Sequence, residues 1–266
     1  MSSLQSARAC LSVACRYVKV QGKACRPPSS FVQMRPRMMS KTQSTQLDMQ
    51  VPDINKNPEH TENGFHCNNV ASRPSVCQEA VRVIRGEAMA LQALADRIDS
   101  SFDEAVELIE AMPRGGRVLV CGVGKSGHVA RKIAATLSSS GTPALFLHAA
   151  EALHGDLGMV SPGDVGLLLS NSGTTEETLA AGRAMRKLGA RLVAMSASRD
   201  SPLARESDVA LSLGRIPELD HNGLAPTAST AAMMALGDAL AVVLSRRLSF
   251  SRRRFHMLHP GGALGA

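Results

Sequence analysis

The chain has 266 residues and a formal net charge of +7, a length that fits one domain of ordinary size with an extension, or two small domains. All of the excess charge lies in residues 1–47, which carry eight Lys and Arg and no Asp or Glu, so residues 48–266 are left with −1. Nucleic-acid-binding proteins concentrate positive charge on the folded body and stack bases on aromatic side chains. With a near-neutral body and only 3% aromatic residues, the chain is not expected to bind nucleic acid.

The first 75 residues are predicted to be a disordered N-terminal extension. Residues 1–47 are rich in Ser and Arg and free of acids, which is typical of a transit peptide for a mitochondrion or plastid. A disordered tail on a cytoplasmic protein is the alternative. Residues 48–75 are polar, rich in Asn and Pro and without sustained periodicity, which predicts a linker. No apolar run approaches the roughly 20 residues of a membrane span, so we expect no membrane partner.

Residues 76–266 are predicted to form one α/β domain. Ser75 is a candidate N-cap for a helix over residues 76–98, and a second helix is predicted from Ser101 to Met112. Short continuous apolar runs then alternate with helical segments, and the candidate strands are residues 116–124, 142–148, 164–173, 190–198 and 208–214. Such runs predict a five-stranded parallel sheet buried between helices, a three-layer sandwich. A last helix, over residues 227–247, covers one face.

Two loops that follow predicted strands are candidate anion sites. Gly122–Gly127, "GVGKSG", fits Gly-x-Gly-x-x-Gly before a helix, but His148 stands where a dinucleotide-binding domain needs an acidic residue for the ribose. The segment therefore predicts a glycine-rich turn at a helix N-terminus, with Lys125 near the anion. Ser170–Thr178, "SNSGTTEET", repeats this layout with hydroxyl side chains. An ordinary N-cap followed by two acidic residues is its alternative interpretation.

Three further segments combine histidines and acidic residues. Residues 148–160, "HAAEALHGDLGMV", contain His148 and His154, whose spacing is not that of a helical metal site. A loop containing Glu218 precedes "LAPTAST", and "HMLHPGGALGA" ends the chain with His259 among glycines. Six cysteines without Cys-x-x-Cys spacing indicate neither a zinc site nor redox chemistry.

Taken in order, these segments resemble the sugar isomerase (SIS) domain and, more closely, the arabinose-5-phosphate isomerases. The resemblance covers about residues 76–266 and rests on "GVGKSGHVARKIAATLSSSGTPALFLHAAEALHGDLGMV", "SNSGTTEE", "GLAPTAST", "GDALAV" and "HPGGALG". It implies a flavodoxin-like five-stranded parallel sheet. It also implies reversible isomerisation of D-arabinose 5-phosphate and D-ribulose 5-phosphate without a cofactor, a reaction that can supply Kdo biosynthesis.

The resemblance also implies roles for particular residues. The catalytic positions of the family fall on Lys125, Glu177, Glu218 and His259. The expected substrate-binding residues are Ser126, His154, Ser170, Ser172, Thr174 and Thr175. His148 and His154 match positions at which related proteins bind an inhibitory zinc ion.

The chemistry of the implied reaction suits these residue types. Moving a carbonyl between C1 and C2 requires ring opening, removal of a proton next to the carbonyl and its return through an enediol(ate). We expect His259 to assist ring opening, Glu177 or Glu218 to be the base and Lys125 to stabilise the oxyanion. Assigning the base between the two glutamates is left open.

Two alternative functions and two structural expectations accompany this interpretation. The chain is alternatively a non-catalytic SIS-type protein that binds a sugar phosphate and regulates a partner, or an isomerase of another phosphosugar. Members of the family pair active sites across subunits, which implies a homo-oligomer, here a tetramer. Close relatives continue into a pair of CBS modules, whereas this sequence stops at Ala266, either as a form with the SIS domain alone or as a truncated one.

Overall fold

The computed structural model describes residues 75–261, so the predictions for the leader, residues 1–47, and for the linker up to residue 74 lie outside the described residues. The strands are β1 (Val118–Gly122), β2 (Ala144–His148), β3 (Val165–Leu169), β4 (Arg191–Ser196) and β5 (Val209–Ser212). The helices are α1 (Val76–Ala95), α2 (Ser100–Glu110), α3 (Gly124–Ser139), α4 (Ala149–Ala152), α5 (Glu176–Lys187), α6 (Pro202–Arg205), α7 (Ala228–Arg247) and α8 (Arg252–Leu258). A 3-10 helix, Asp156–Met159, precedes β3.

The five strands form one parallel sheet in the order β2-β1-β3-β4-β5. In this register Val118 of β1 lies opposite Ala144 of β2 on one side and Val165 of β3 on the other. The predicted sheet is confirmed. The chain crosses from β1 to β2 and then returns past β1 to β3. The direction of winding therefore changes between β1 and β3.

The sheet separates two apolar cores, as the prediction of a three-layer sandwich requires. Alternate residues of each strand face opposite sides: Val118 and Val120 join the core that contains residues of α1, α2, α3 and α7. Leu119 and Cys121 join the core formed with α4, α5 and α6. Burial on both faces accounts for the continuous apolar strands in the sequence.

Three short helices were not predicted from the sequence. The four-residue helices α4 and α6 are too short to show a helical period, although Ser201 caps α6 and Pro202 occupies its first turn. Helix α8 was not predicted either, and its N-cap Ser251 accepts a hydrogen bond from the backbone N–H of Arg254 at 3.3 Å. The predicted second helix begins at Ser100 and ends at Glu110, two residues before Met112.

By length and composition alone, helix α7 is long and apolar enough to cross a membrane. No apolar run of this length was expected from the sequence. Half of its apolar stretch is buried inside the protein, where residues such as Leu236 and Leu240 contact the core shared with α3. Core helices commonly have this composition because they are covered on several sides.

Cys121 is buried in β1, one residue before the strand ends at Gly122. Burial raises the pKa of its thiol to about 12. The side chain therefore stays protonated at neutral pH and acts as a small apolar group, not as a nucleophile.

Candidate active site

Two of the predicted catalytic residues, Lys125 and Glu177, lie at the carboxyl edge of the sheet, where they follow the neighbouring strands β1 and β3. These strands are paired neighbours, with Cys121 opposite Leu168, and the connections that leave them run to opposite faces of the sheet. In open α/β sheets this arrangement creates a crevice in which ligands bind. The loops after both strands, which carry Lys125 and Glu177, border this crevice.

The turn after β1 requires glycine because its backbone lies against the end of β3. A Cβ atom at Gly122 would lie 3.1 Å from the carbonyl oxygen of Leu169 and 3.3 Å from the nitrogen of Gly127. Gly124 has a φ of 54°, a left-handed conformation that other residues adopt only with strain. The first turn of α3, with Lys125 and Ser126, is thereby held beside the residue that precedes Ser170.

The N-terminus of α3 is open to a ligand. Val123 precedes the helix and provides no side-chain cap, and the first intrahelical hydrogen bond runs from Gly127 N–H to the Val123 carbonyl oxygen at 2.9 Å. The N–H groups of the residues before Gly127 therefore remain available for an anion. Lys125 is exposed and forms no ion pair with the residues that the structure describes.

The loop after β3 is built by its own hydroxyl groups. Ser170 is buried, and its Oγ accepts a hydrogen bond from Gly173 N–H at 3.0 Å and lies 2.8 Å from Thr175 Oγ1. Ser172 Oγ accepts from Thr174 N–H at 3.2 Å and from Thr174 Oγ1–H at 3.0 Å. Of the predicted substrate-binding residues in this loop, Ser170 thus shapes the loop, whereas Thr174 is exposed and Ser172 lies beside it.

Helix α5 begins where this loop ends, and it presents a second open N-terminus. Thr175 is its N-cap residue but makes no side-chain cap hydrogen bond, because its hydroxyl pairs with Ser170. Glu176 and Glu177 occupy the first turn and are exposed. Two uncapped helix N-termini on adjacent strands concentrate N–H donors and positive dipole ends, which suits a phosphate group.

Glu218 lies in the loop between β5 and α7 and caps that helix. Its Oε2 accepts hydrogen bonds from Thr227 N–H at 2.7 Å, Thr227 Oγ1–H at 3.1 Å and Ser229 N–H at 3.4 Å. Among the described residues Oε1 has no hydrogen-bond partner, so it is the oxygen available to a substrate. Glu218 therefore combines a structural role with its predicted catalytic one.

Substitutions at Glu218 are expected to separate these two roles. Glu218→Ala removes the cap and is expected to lower the free energy of unfolding by about 1–2 kcal/mol. Glu218→Gln keeps a carbonyl oxygen that can accept the same bonds and is expected to lose less. Thermal unfolding of both variants measures the cap, while kcat of Glu218→Gln measures proton transfer. Equal stability of the Ala variant and the unchanged protein would contradict the capping role.

Two residues that hold this loop were not anticipated as site residues. Thr227 Oγ1 accepts a hydrogen bond from Leu219 N–H at 3.0 Å, and Arg82 of α1 donates to the Leu219 carbonyl oxygen at 2.7 Å. A Thr immediately before an apolar helix is a recognisable N-cap signal for Thr227. Arg82 lies 137 residues from Leu219, and the local sequence contains no signal for that contact.

The two predicted zinc ligands lie at the same edge of the sheet. His148 ends β2 and its Nδ1 is buried without a hydrogen-bond partner, whereas His154 is exposed after α4. Within residues 75–261 no group of three or more His, Cys, Asp or Glu side chains could hold a metal ion. Zinc takes about four ligands, so these two histidines do not fit a closed zinc site and no catalytic step is assigned to a metal.

His259 is separated from the crevice by the length of α7. The helix begins beside Glu218, at the carboxyl edge of the sheet, and ends where Arg247 Nε lies 2.8 Å from Glu110 Oε2 at the end of α2. Twenty helical residues span about 30 Å, which carries the chain to the amino edge of the sheet. There Phe250 packs against Gly141, before β2.

The segment after Phe250 is too short to return from the amino edge of the sheet to the crevice. The seven residues of α8 span only about 10 Å. His259 follows α8, with its ring stacked on Phe255 at 4.0 Å between centroids and its Nδ1 2.8 Å from the Phe255 carbonyl oxygen. The structure therefore does not bring His259 together with Lys125 and Glu177 of the same chain.

A depression of about 430 Å³ lies away from this crevice, against α5 and α6. Two of its three arginines are already paired: Arg183 donates two hydrogen bonds to Glu206, at 2.7 and 2.6 Å, and Arg186 lies 3.1 Å from Asp208. Because acidic side chains neutralise these guanidinium groups, the depression is less suited to an anion than the crevice is.

Comparisons with known proteins show the family to which the chain belongs. Residues 113–243 match the SIS domain model. A protein of Escherichia coli CFT073, solved in complex with arabinose 5-phosphate, is 38% identical with a TM-score of 0.67, over 73% of this chain and 100% of that one. Arabinose 5-phosphate isomerase KdsD of Pseudomonas aeruginosa is 45% identical over 74% of this chain. KpsF, the enzyme of the same description from Escherichia coli O6:H1, is 42% identical over 72%.

The chain covers only part of its curated relatives. The chain spans 60% of the length of the Pseudomonas relative and 58% of the Escherichia coli one, so their activity is not transferred by the match itself. The similarity to the solved domain, in contrast, extends over its whole length and includes the same fold. The chain belongs to the SIS domain family, with arabinose 5-phosphate isomerases among its relatives.

Proposed function

We propose that the protein is an aldose–ketose isomerase that interconverts D-arabinose 5-phosphate and D-ribulose 5-phosphate through an enediol(ate). The observation that carries this proposal is the convergence of Lys125 and Glu177 on one crevice, each in the first turn of a helix without a side-chain cap. The neighbouring solved protein in complex with arabinose 5-phosphate and the isomerase relatives support the substrate class.

The phosphate of the substrate is bound by the two helix N-termini. The open N–H groups of α3 and α5 and the hydroxyls of Ser172 and Thr174 provide donors for its oxygens. The buried Ser170 keeps this loop in place through Gly173 and Thr175. Because the helix N-termini and these hydroxyls bind only the phosphate, the sugar carbons can extend toward Glu177 and Glu218.

The isomerisation itself needs one base and one cation. Glu177 removes the proton from C1 of ribulose 5-phosphate, and the electron pair of the C–H bond forms the C1=C2 bond of the enediolate while Lys125 stabilises the negative oxygen. Transfer of the hydroxyl proton from O1 to O2 and return of a proton from the Glu177 carboxyl group to C2 yield the aldose. Glu218, whose Oε1 is free of hydrogen bonds to described residues, is the second candidate for these transfers.

His259 completes the crevice from another copy of the chain. It lies at the opposite edge of the sheet from Lys125 in its own chain, so ring opening by His259 requires a homo-oligomer, which we propose to be a tetramer. In this assembly the imidazole of one copy protonates the ring oxygen of arabinose 5-phosphate held by the next, whereas ribulose 5-phosphate has no ring to open. With Nδ1 facing the Phe255 carbonyl oxygen, Nε2 is the ring nitrogen left for the substrate.

The proposal is tested by incubating the full chain with ribulose 5-phosphate in heavy water and following the sugar phosphates by NMR. EDTA is included because the resemblance implies that a zinc ion bound at His148 and His154 would inhibit the reaction. We expect arabinose 5-phosphate that carries one deuteron at C2. The catalytic acid exchanges its proton with heavy water before it protonates the enediol(ate).

Other outcomes identify the alternatives. Thermal stabilisation by either pentose phosphate without any deuterium incorporation would refute the isomerase and support a sugar-phosphate-binding regulator. Exchange with a different phosphosugar, and none with ribulose 5-phosphate, would refute the proposed substrate.

A further inference from the structure

Helix α1 carries an uncovered stripe of apolar side chains at heptad spacing. Its members alternate three and four residues apart, and all of them are exposed: Cys77, Val81, Ile84, Ala88, Leu91 and Ala95. Ile84 retains 66% of its surface and Leu91 37%. We call these six residues the α1 seam. A strict 3.5-residue period is the pattern by which one helix packs along another helix.

A different stripe of the same helix attaches α1 to its own domain. A Cβ atom at Gly86 would lie 2.6 Å from a methyl group of Leu219, and Leu94 is buried in the core that includes α7. Val83 and Ala90 lie on this covered side and are half-buried. The α1 seam is therefore additional to the contacts that hold the helix in place, and a helix that is apolar on two sides is normally covered on both.

We infer that the α1 seam packs against the α1 seam of a second copy of this chain. A two-fold axis brings the same surface of two copies together, so each stripe meets a partner of identical period and length. α1 contains two acidic residues, Glu79 and Glu87, and two basic ones, Arg82 and Arg85. Its net charge is zero, and two copies approach without electrostatic repulsion.

The chain's own N-terminal residues are a poorer match to the α1 seam. Residues 48–74 have no sustained apolar period, and residues 1–47 contain eight basic groups without an acid. A heptad stripe is best covered by another heptad stripe, because side chains of one helix insert between those of the other. The inference rests on the proposed assembly of several copies and names one surface through which they associate.

The test compares two double variants of the full chain by sedimentation velocity. Ile84→Glu with Leu91→Glu places two charges in the α1 seam, whereas Val76→Glu with Met89→Glu places two charges on exposed apolar positions of α1 outside it. We expect the seam variant to sediment with half the mass of the unchanged protein, and the control to keep the full mass. Circular dichroism and Tm of all three are expected to stay similar because every substituted side chain is exposed.

A charge-swapped partner keeps the test independent of any loss of folding. Mixing the Glu double variant with Ile84→Lys, Leu91→Lys is expected to restore the full mass, since opposite charges then meet across the seam. Unchanged mass of the Glu variant, or no recovery on mixing, would overturn the inference. So would new protease cleavage in residues 1–74 of the Glu variant at unchanged mass, which would show that these residues cover the seam.

Failure of the seam can be distinguished from failure of the proposed reaction. Sedimentation reports association without substrate, so an unchanged mass together with deuterium incorporation rejects the seam and leaves the isomerase intact. Halved mass without any isomerase activity of the unchanged protein rejects the reaction and leaves the seam.

Discussion

Replacing Glu177 with Gln is expected to lower kcat for ribulose 5-phosphate by about 10²- to 10⁴-fold, the usual contribution of a positioned general base. The amide keeps the size of the side chain but cannot accept the proton from C1. KM is expected to change little because the phosphate is held by helix N-termini and hydroxyls that the substitution leaves in place. Steady-state kinetics and the rate of deuterium incorporation measure the two effects separately.

Glu176 provides a matched control for Glu177. It occupies the same first turn of α5, so Glu176→Gln removes the same charge from the same helix N-terminus. We expect its kcat to stay within about twofold of that of the unchanged protein. A charge at a helix end contributes much less free energy than a general base does. Equal losses in both variants would mean that the charge, and not proton transfer by Glu177, is what matters.

Mixing two inactive variants is expected to restore activity if His259 acts on another copy. Lys125→Ala disables the crevice and His259→Ala removes the imidazole, so each variant alone is inactive. In random hybrids a crevice with Lys125 meets a copy with His259 in about one quarter of sites, and activity should recover to about 25%. The measurement is the isomerase rate with arabinose 5-phosphate, the substrate whose ring must open, after joint dissociation and reassembly of equal amounts.

The control for this experiment uses two residues of one crevice. Lys125 and Glu177 lie at the carboxyl edge in the same chain, so mixing Lys125→Ala with Glu177→Gln leaves every site defective and no recovery is expected. Recovery in neither mixture would show that His259 acts within its own chain or takes no part, and would refute the proposed exchange between copies.

The turns of the two candidate anion-binding loops could be predicted because their signals are local. Gly122 and Gly127 are favoured by close contacts within the β1–α3 turn and with the adjacent strand, and Gly124 is favoured by its left-handed φ. The hydroxyl network of Ser170 spans five residues. Local spacing of glycines and hydroxyls after an apolar strand therefore carries most of the information about these turns.

The capping of α7 by Glu218 could be predicted only in part. Thr227 gives a local N-cap signal, but the hydrogen bonds to Glu218 join positions 9 and 11 residues apart across an irregular loop. Which oxygen remains free for a substrate depends on how that loop folds back on the helix. No periodic pattern encodes such a loop.

By itself, the sequence determined the parallel sheet, its five strands along the chain and the residue types that follow them, because burial on two faces and turn geometry leave local patterns. Only the tertiary structure decided that His259 lies at the far edge from Lys125, since the direction and length of α7 across the sheet result from packing over the whole domain. The same holds for the α1 seam: a helix shows its apolar positions in the sequence, but which of two stripes is covered depends on the neighbours it meets in the fold.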